Sequence, residues 1–296
     1  MEVTATELQN LAVVHVWDIG NTDAPLKVTV QTVDDEVKVD SLLKKICEIK
    51  GLMEKYKKYF CIISGGDRPV KKYKPADWLI LPIKGLSFQK WCFNLKTEKK
   101  LVSDPVIAEL FFLQAKHDIA SGKLKPTEED IHTLEECLHP EFLAMDQYLS
   151  ICQTLPDYST VTIDTCQMVQ DKRVKTMLLP SASSYSVNLS INGLKIRSET
   201  GDVALCAQWY EIYSWELNKE ERILTFYVHL KHNNAKSILP FKTEQSDYMA
   251  SIIMELITDL QAEDKNAPSF HISNIKQLKD GSTLWENVLF NHDKVQ

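Results

Sequence analysis

The sequence predicts an α+β chain of three consecutive units followed by a polar tail, and two changes of hydrophobic period carry that expectation. Apolar residues alternate with a period of two at both ends of the chain and recur every three to four residues in between, from about 103 to 155. Composition agrees: 296 residues, 44% hydrophobic and 25% charged, are ordinary for a folded chain with more than one core.

In the first unit, 12–17 and 26–32 read as strands, separated by the turn chemistry of Gly20-Asn-Thr-Asp-Ala-Pro25. A helix over 41–49 follows, capped by Asp40, with Leu42, Leu43, Ile46 and Ile49 on one face and Gly51 where a left-handed C-terminal residue belongs. Strands over 59–64, 78–83 and 90–95 complete the order of a ubiquitin-like roll. The second unit is all-helical. Asp104-Pro105 opens a helix carrying Ile107, Leu110, Phe111, Ala115 and Ile119, Thr127 opens a second with an acidic first turn, and a third after Pro140 aligns Phe142, Met145, Leu149 and Cys152.

The third unit returns to strands, over 161–169, 174–179, 185–191, 194–198, 203–215, 223–230 and 237–241, with Asn192-Gly193 as a hairpin turn. Tyr248, Met249, Ile252, Ile253, Leu256, Ile257 and Leu260 then form a broad apolar helix face. Seven strands and a closing helix are the order of a pleckstrin-homology or phosphotyrosine-binding (PH/PTB-like) β-sandwich. Leu284, Trp285, Val288 and Leu289 in the tail are expected to dock back as a short helix.

Several chemistries are disfavoured. A net charge of −7 argues against nucleic acid as main partner. Seven cysteines stand singly, with neither metal nor disulfide spacing, as in a reduced cytosolic chain. No run has the length of a membrane span, so membrane contact is expected to be peripheral. There is no GxSxG, HExxH or Walker loop, so the chain reads as non-enzymatic, without cofactor or metal.

A ubiquitin-like unit, a helical unit and a PTB-like unit in that order resemble a FERM domain. Lys90-Trp-Cys-Phe93 is similar to the Lys-Trp-x-Phe that closes the first FERM lobe, and Leu110-Phe-Phe-Leu-Gln-Ala-Lys-His-Asp-Ile-Ala-Ser-Gly-Lys-Leu124 to the opening helix of the second. The resemblance implies lobes at 12–97, 98–157 and 158–264 and a tail at 265–296. Within that family, Glu211-Ile-Tyr-Ser-Trp215 and Gln170-Asp-Lys-Arg-Val-Lys175 resemble the atypical FERM modules of sorting nexins 17, 27 and 31. Those proteins carry a PX domain ahead of the module, and about eleven residues precede the first expected strand here.

The sorting-nexin resemblance implies a non-catalytic adaptor of endosomal sorting or recycling, peripherally bound to endosomal or other membranes. Its third lobe would read Asn-Pro-x-Tyr or Asn-x-x-Tyr motifs in cytoplasmic tails of membrane proteins. The implied peptide site comprises Ile212, Tyr213, Ser214 and Trp215 on a strand and Ile253, Leu256, Ile257 and Leu260 on the helix. An exposed strand edge would supply hydrogen-bonding groups and side-chain pockets the selectivity. The same helix residues also suit plain core packing, and the faces of Tyr210 and Tyr213 depend on whether the run over 203–215 contains a bulge. Lys172, Arg173 and Lys175 have the charge to hold a phosphoinositide headgroup. Lys55, Lys57, Lys58, Lys71, Lys72 and Lys74 make the first lobe locally basic, which suits an acidic small GTPase. The alternative reading is therefore a phosphoinositide- or small-GTPase-binding scaffold at the membrane-cytoskeleton interface.

Overall fold

The computed structural model describes residues 10–19, 24–66, 68–139, 143–169, 179–180, 182–231, 235–263, 269–277 and 283–291. It divides into two compact units, 1–158 and 159–296.

In the first unit, β1 (Asn10–Trp17) and β2 (Leu26–Thr32) form an antiparallel hairpin. The chain continues through β3 (Glu36–Lys38), α1 (Val39–Lys50), a 3-10 turn at Glu54–Tyr59, β4 (Phe60–Ser64), β5 (Lys71–Tyr73), β6 (Trp78–Ile80) and β7 (Leu86–Lys90). The sheet order β2-β1-β7-β4-β5, with β1 and β7 parallel, is that of a ubiquitin-like roll, and β3 pairs separately with β6. Gly51 adopts the left-handed conformation (φ 69°) that ends α1. Asp40 does not cap this helix. It lies in the first turn and accepts a bond from Lys57 Nζ (2.9 Å), while Lys38 occupies the capping position.

The helices are α2 (Leu95–Leu101), α3 (Pro105–Ala120), α4 (Glu128–Cys137) and α5 (Met145–Cys152). The expected strand over 90–95 is corrected: β7 ends at Lys90, and Asn94 starts α2 by accepting from the backbone N–H groups of Lys96 (2.9 Å) and Thr97 (3.1 Å). Asp104 caps α3 with Pro105 behind it, and Thr127 and Asp130 form a reciprocal capping box on α4. Roll and helices share one core that extends from Val14 to Cys152. Phe60 on β4 stacks on Phe88 of β7 (centroids 5.1 Å apart) and meets Phe111 of α3 (5.8 Å).

A buried carboxylate sits within that core. Glu98 on α2 is fully buried and receives bonds from Lys90 Nζ, Tyr158 Oη and Gln153 Nε2 (3.0 Å). The ammonium of Lys90 also lies 4.8 Å from the centre of the Phe111 ring and 4.5 Å from that of Tyr158. Burial, then the charge of Glu98, pushes the Tyr158 phenol far up, so it remains a donor.

The second unit contains β8 (Val161–Met168), β9 (Tyr185–Ser190), β10 (Gly193–Ser198), β11 (Val203–Ala207), β12 (Ile212–Asn218), β13 (Ile223–Leu230), β14 (Ala235–Lys242), α6 (Ser246–Glu263), β15 (Ser269–Gln277) and β16 (Thr283–Asn291). Two expectations change here. The run over 203–215 is two strands parted by a 3-10 turn at Trp209–Glu211, and the segment expected to form a tail helix is the strand β16. The strand order is β11-β10-β9-β8-β14-β13-β12-β16-β15, so the tail hairpin continues the sheet beyond β12. Residues 174–178 of the strand expected over 174–179, the basic trio Lys172, Arg173 and Lys175, and Phe142 lie outside the described residues.

Candidate functional site

The start of β12 is fixed by the turn before it. Glu211, buried, accepts the backbone N–H of Gln208 (2.9 Å) and, from the end of β13, that of Lys231 (3.0 Å). Trp209 donates its indole N–H to the carbonyl of Ser190 (2.9 Å). Together these bonds turn the chain from β11 into β12 without a glycine or proline.

A β-bulge follows. Ile212 pairs with Val228, but Ser214 pairs with Tyr227, so Tyr213 is the extra residue and the facing of the strand is offset across it. Ile212, Trp215 and Leu217 consequently pair with Val228, Phe226 and Leu224, all fully buried, on the core face. Ser214 and Glu216 fall on the other face, where Tyr227 donates to Glu216 Oε2 (3.0 Å) and the rings of Tyr213 and Tyr227 are 5.9 Å apart. Burial raises the phenol pKa of Tyr213. Trp215 is 2% exposed, and its Nε1 has no hydrogen-bond partner among the described residues.

Opposite, α6 packs against β9, β12 and β13, with Ile253, Leu256 and Ile257 buried and Leu260 half-buried. Lys219, just after β12, reaches Asp247 in the first turn of α6 (3.6 Å). The eight residues expected to form the peptide site therefore do come together along one strand and one helix of the same unit. Their side chains are mostly interior, and the strand edge they share is not open. Ser214 pairs with Leu289 and Trp215 with Val288, placing β16 antiparallel on β12. The occupant is the tail segment expected from the sequence to dock back as a helix, here a strand; sequence reasoning missed Glu216 and Tyr227 on the outer face.

The far end of α6 is acidic. Burial, then the charges of Glu255 and Glu263, raise the Asp259 carboxyl to about 6. The folded chain thus retains a proton that an unfolded aspartate releases near pH 4, so Asp259 reduces stability as pH rises from about 4 to about 6. Asp259→Asn is expected to match wild type near pH 4 and to gain on the order of 1–2 kcal/mol at pH 7, after discounting for solvent screening, in urea titrations at the two pH values.

Other chemistry is sparse. Burial drives the thiol of Cys47 to about 11 and those of Cys152 and Cys166 to about 12, far from thiolate reactivity at neutral pH. Among the described residues no group of three or more His, Cys, Asp or Glu side chains is arranged to hold a metal, and no helix is long and apolar enough to cross a membrane. In the first unit, Lys71 and Lys72 lie on β5, the edge strand of its sheet, with Lys72 Nζ 4.1 Å from the centre of the Trp91 ring.

No protein-family model and no curated protein matches the sequence. Solved structures do match. The MyTH4-FERM MF2 domain (mutant 1) of Dictyostelium discoideum myosin VII superposes with a TM-score of 0.57 at 11% identity, over 84% of this chain and 61% of that one. The MF1 domain of the same myosin gives 0.54 at 14% identity, over 84% and 60%. The FERM and C-terminal domain complex of Drosophila Merlin gives 0.53 at 15%, over 85% of this chain and 96% of that one. This chain spans about three fifths of the myosin VII chains it matches. The fold is that of a FERM domain.

Proposed function

We propose that this FERM-fold chain is a non-catalytic adaptor whose third lobe takes up a short extended peptide from the cytoplasmic tail of a membrane protein, in endosomal cargo sorting or recycling. The observation that carries the reading is that β12 accepts an added antiparallel strand, with α6 packed on the same sheet. Strand addition supplies affinity through main-chain bonds, and flanking side chains supply selectivity. The Asn-x-x-Tyr preference and the endosomal setting rest on the sorting-nexin resemblance of Glu211-Ile-Tyr-Ser-Trp215.

Titration of the isotopically labelled chain with an Asn-Pro-x-Tyr peptide is expected to give saturable shifts of the backbone amides of Ile212, Tyr213, Ser214 and Trp215. Shifts confined to other elements, or none up to millimolar peptide, would remove the reading.

A second reading is favoured by the lysine-bearing edge at β5. A positive strip on an otherwise acidic chain fits a phosphoinositide surface or an acidic GTPase. Absence of peptide shifts together with cosedimentation on phosphoinositide vesicles would leave this reading in place of the first.

A further inference from the structure

We infer that the outer face of the small β3-β6 sheet is a docking surface for a partner protein, and that the segment it takes is basic, with an apolar or aromatic anchor. The inference concerns the first unit and goes beyond the β12 reading, which it neither needs nor alters.

The face is built by strand pairing. Val33 opposes Glu36 across a tight turn and Glu36 opposes Ile80, so these three side chains form one row on the same side of the sheet. Lys38 and Trp78 oppose each other two residues along, again on that side. Val37 and Leu79, between the two rows, point the other way and are buried. The outer face is left with Val33 60%, Trp78 49% and Ile80 71% exposed. Single exposed apolar residues need no explanation, but three on one face with a tryptophan among them mark an interaction surface.

Charge selects the occupant. The turn closes with reciprocal backbone bonds: the N–H of Val33 donates to the carbonyl of Glu36 (3.0 Å), and that of Glu36 to the carbonyl of Val33 (2.8 Å). Its two central residues, Asp34 (φ 49°) and Asp35 (φ 61°), hold the left-handed positions that Asn-Gly ordinarily fills, and both are exposed. Val33-Asp-Asp-Glu-Val-Lys38 thus sets three carboxylates beside Val33 and Ile80 against one ammonium. Among the described residues no cation pairs with any of the three. A basic segment supplies that counter-charge, and a guanidinium can also stack on the open face of Trp78. A stable dimer face takes roughly 800 Å² and about 20–30 residues from each partner. Three apolar side chains and a turn do not reach that size, so they suit a short segment better than a second copy of the chain.

The test pans a phage-displayed library of random peptides on the full chain, with counter-selection on Trp78→Thr/Ile80→Thr. Threonine keeps a β-branched residue in the strand and removes the large apolar contact. Both sites are exposed, so the urea midpoints of variant and wild type should agree. Asp34→Asn/Asp35→Gly suits the same turn and removes two charges; it replaces the threonine pair in counter-selection if that pair misfolds. Expected are enriched peptides that set arginine or lysine beside leucine, phenylalanine or tryptophan. A synthetic peptide of the leading sequence should bind the threonine pair at least about tenfold more weakly than wild type. It should bind the turn variant roughly three- to tenfold more weakly, a difference that shrinks in high salt.

Equal binding to wild type and both variants would overturn the inference, as would enrichment without basic residues or no enrichment over the counter-selected pool. A wild-type dimer in sedimentation velocity that the threonine pair dissociates would assign the face to a second copy and overturn it as well. None of these outcomes bears on the Asn-Pro-x-Tyr titration, which reads the amides of β12.

Discussion

Replacing Lys90 with methionine is expected to cost the first unit about 3–5 kcal/mol, the scale for removing one partner of a buried ion pair. Glu98 is fully buried, and Lys90 is the one cation bonded to its carboxylate among the described residues. Without the ammonium, Tyr158 and Gln153 still donate, but the negative charge has no counterion in a poorly solvated site. Lys90→Met/Glu98→Met, which removes both charges, should recover most of the loss. Urea midpoints at pH 7 distinguish the two, and a Lys90→Met midpoint equal to wild type would show that the pair contributes nothing. The lysine of Lys90-Trp-Cys-Phe93 thereby acquires a physical role, holding the end of β7 to the first helix after it.

Trp215→Ala is expected to destabilise the second unit by about 3–5 kcal/mol, the range for truncating a large aromatic side chain in a core. Trp215 pairs with fully buried Phe226 and is itself 2% exposed. Peptide affinity measured on that variant would confound lost folding with lost recognition. Trp215→Phe is the cleaner probe: it keeps an aromatic ring and removes an indole N–H that has no partner among the described residues. Its stability should fall by much less than that of the alanine variant, measured by the same denaturant titration, and a loss as large would show that indole volume alone sets the cost.

Much of the fold was legible in the sequence because the decisive signals are local. Asp104-Pro105, Thr127 with Asp130, Gly51 and Asn192-Gly193 each act on the backbone within a few residues and mark element ends accordingly. The split of 203–215 was not legible. Its turn is held by Glu211 bonding to Lys231, twenty residues away, and by Trp209 bonding to Ser190, nineteen residues away. The bulge at Tyr213 exists only relative to the register of β13. Glu98 sits in Leu-Lys-Thr-Glu-Lys-Lys-Leu, which reads as an exposed helical turn until Lys90 and Tyr158 are brought beside it. Periodicity therefore placed the helix, while the start of the strand depends on the turn at Trp209–Glu211 and the state of its edge on a segment some seventy residues downstream.

The core shared by the roll and the helices carries a consequence for dissecting the molecule. Phe111 of α3 packs on Phe60, which stacks on Phe88, so cutting the chain between β7 and α2 would leave an aromatic pair of the roll facing solvent. Residues 12–97 then have the topology of an independent module without its thermodynamic autonomy. Heating should melt the roll and the helical bundle in one transition, and lesions deep in α3 will register as unfolding of a sheet they do not belong to.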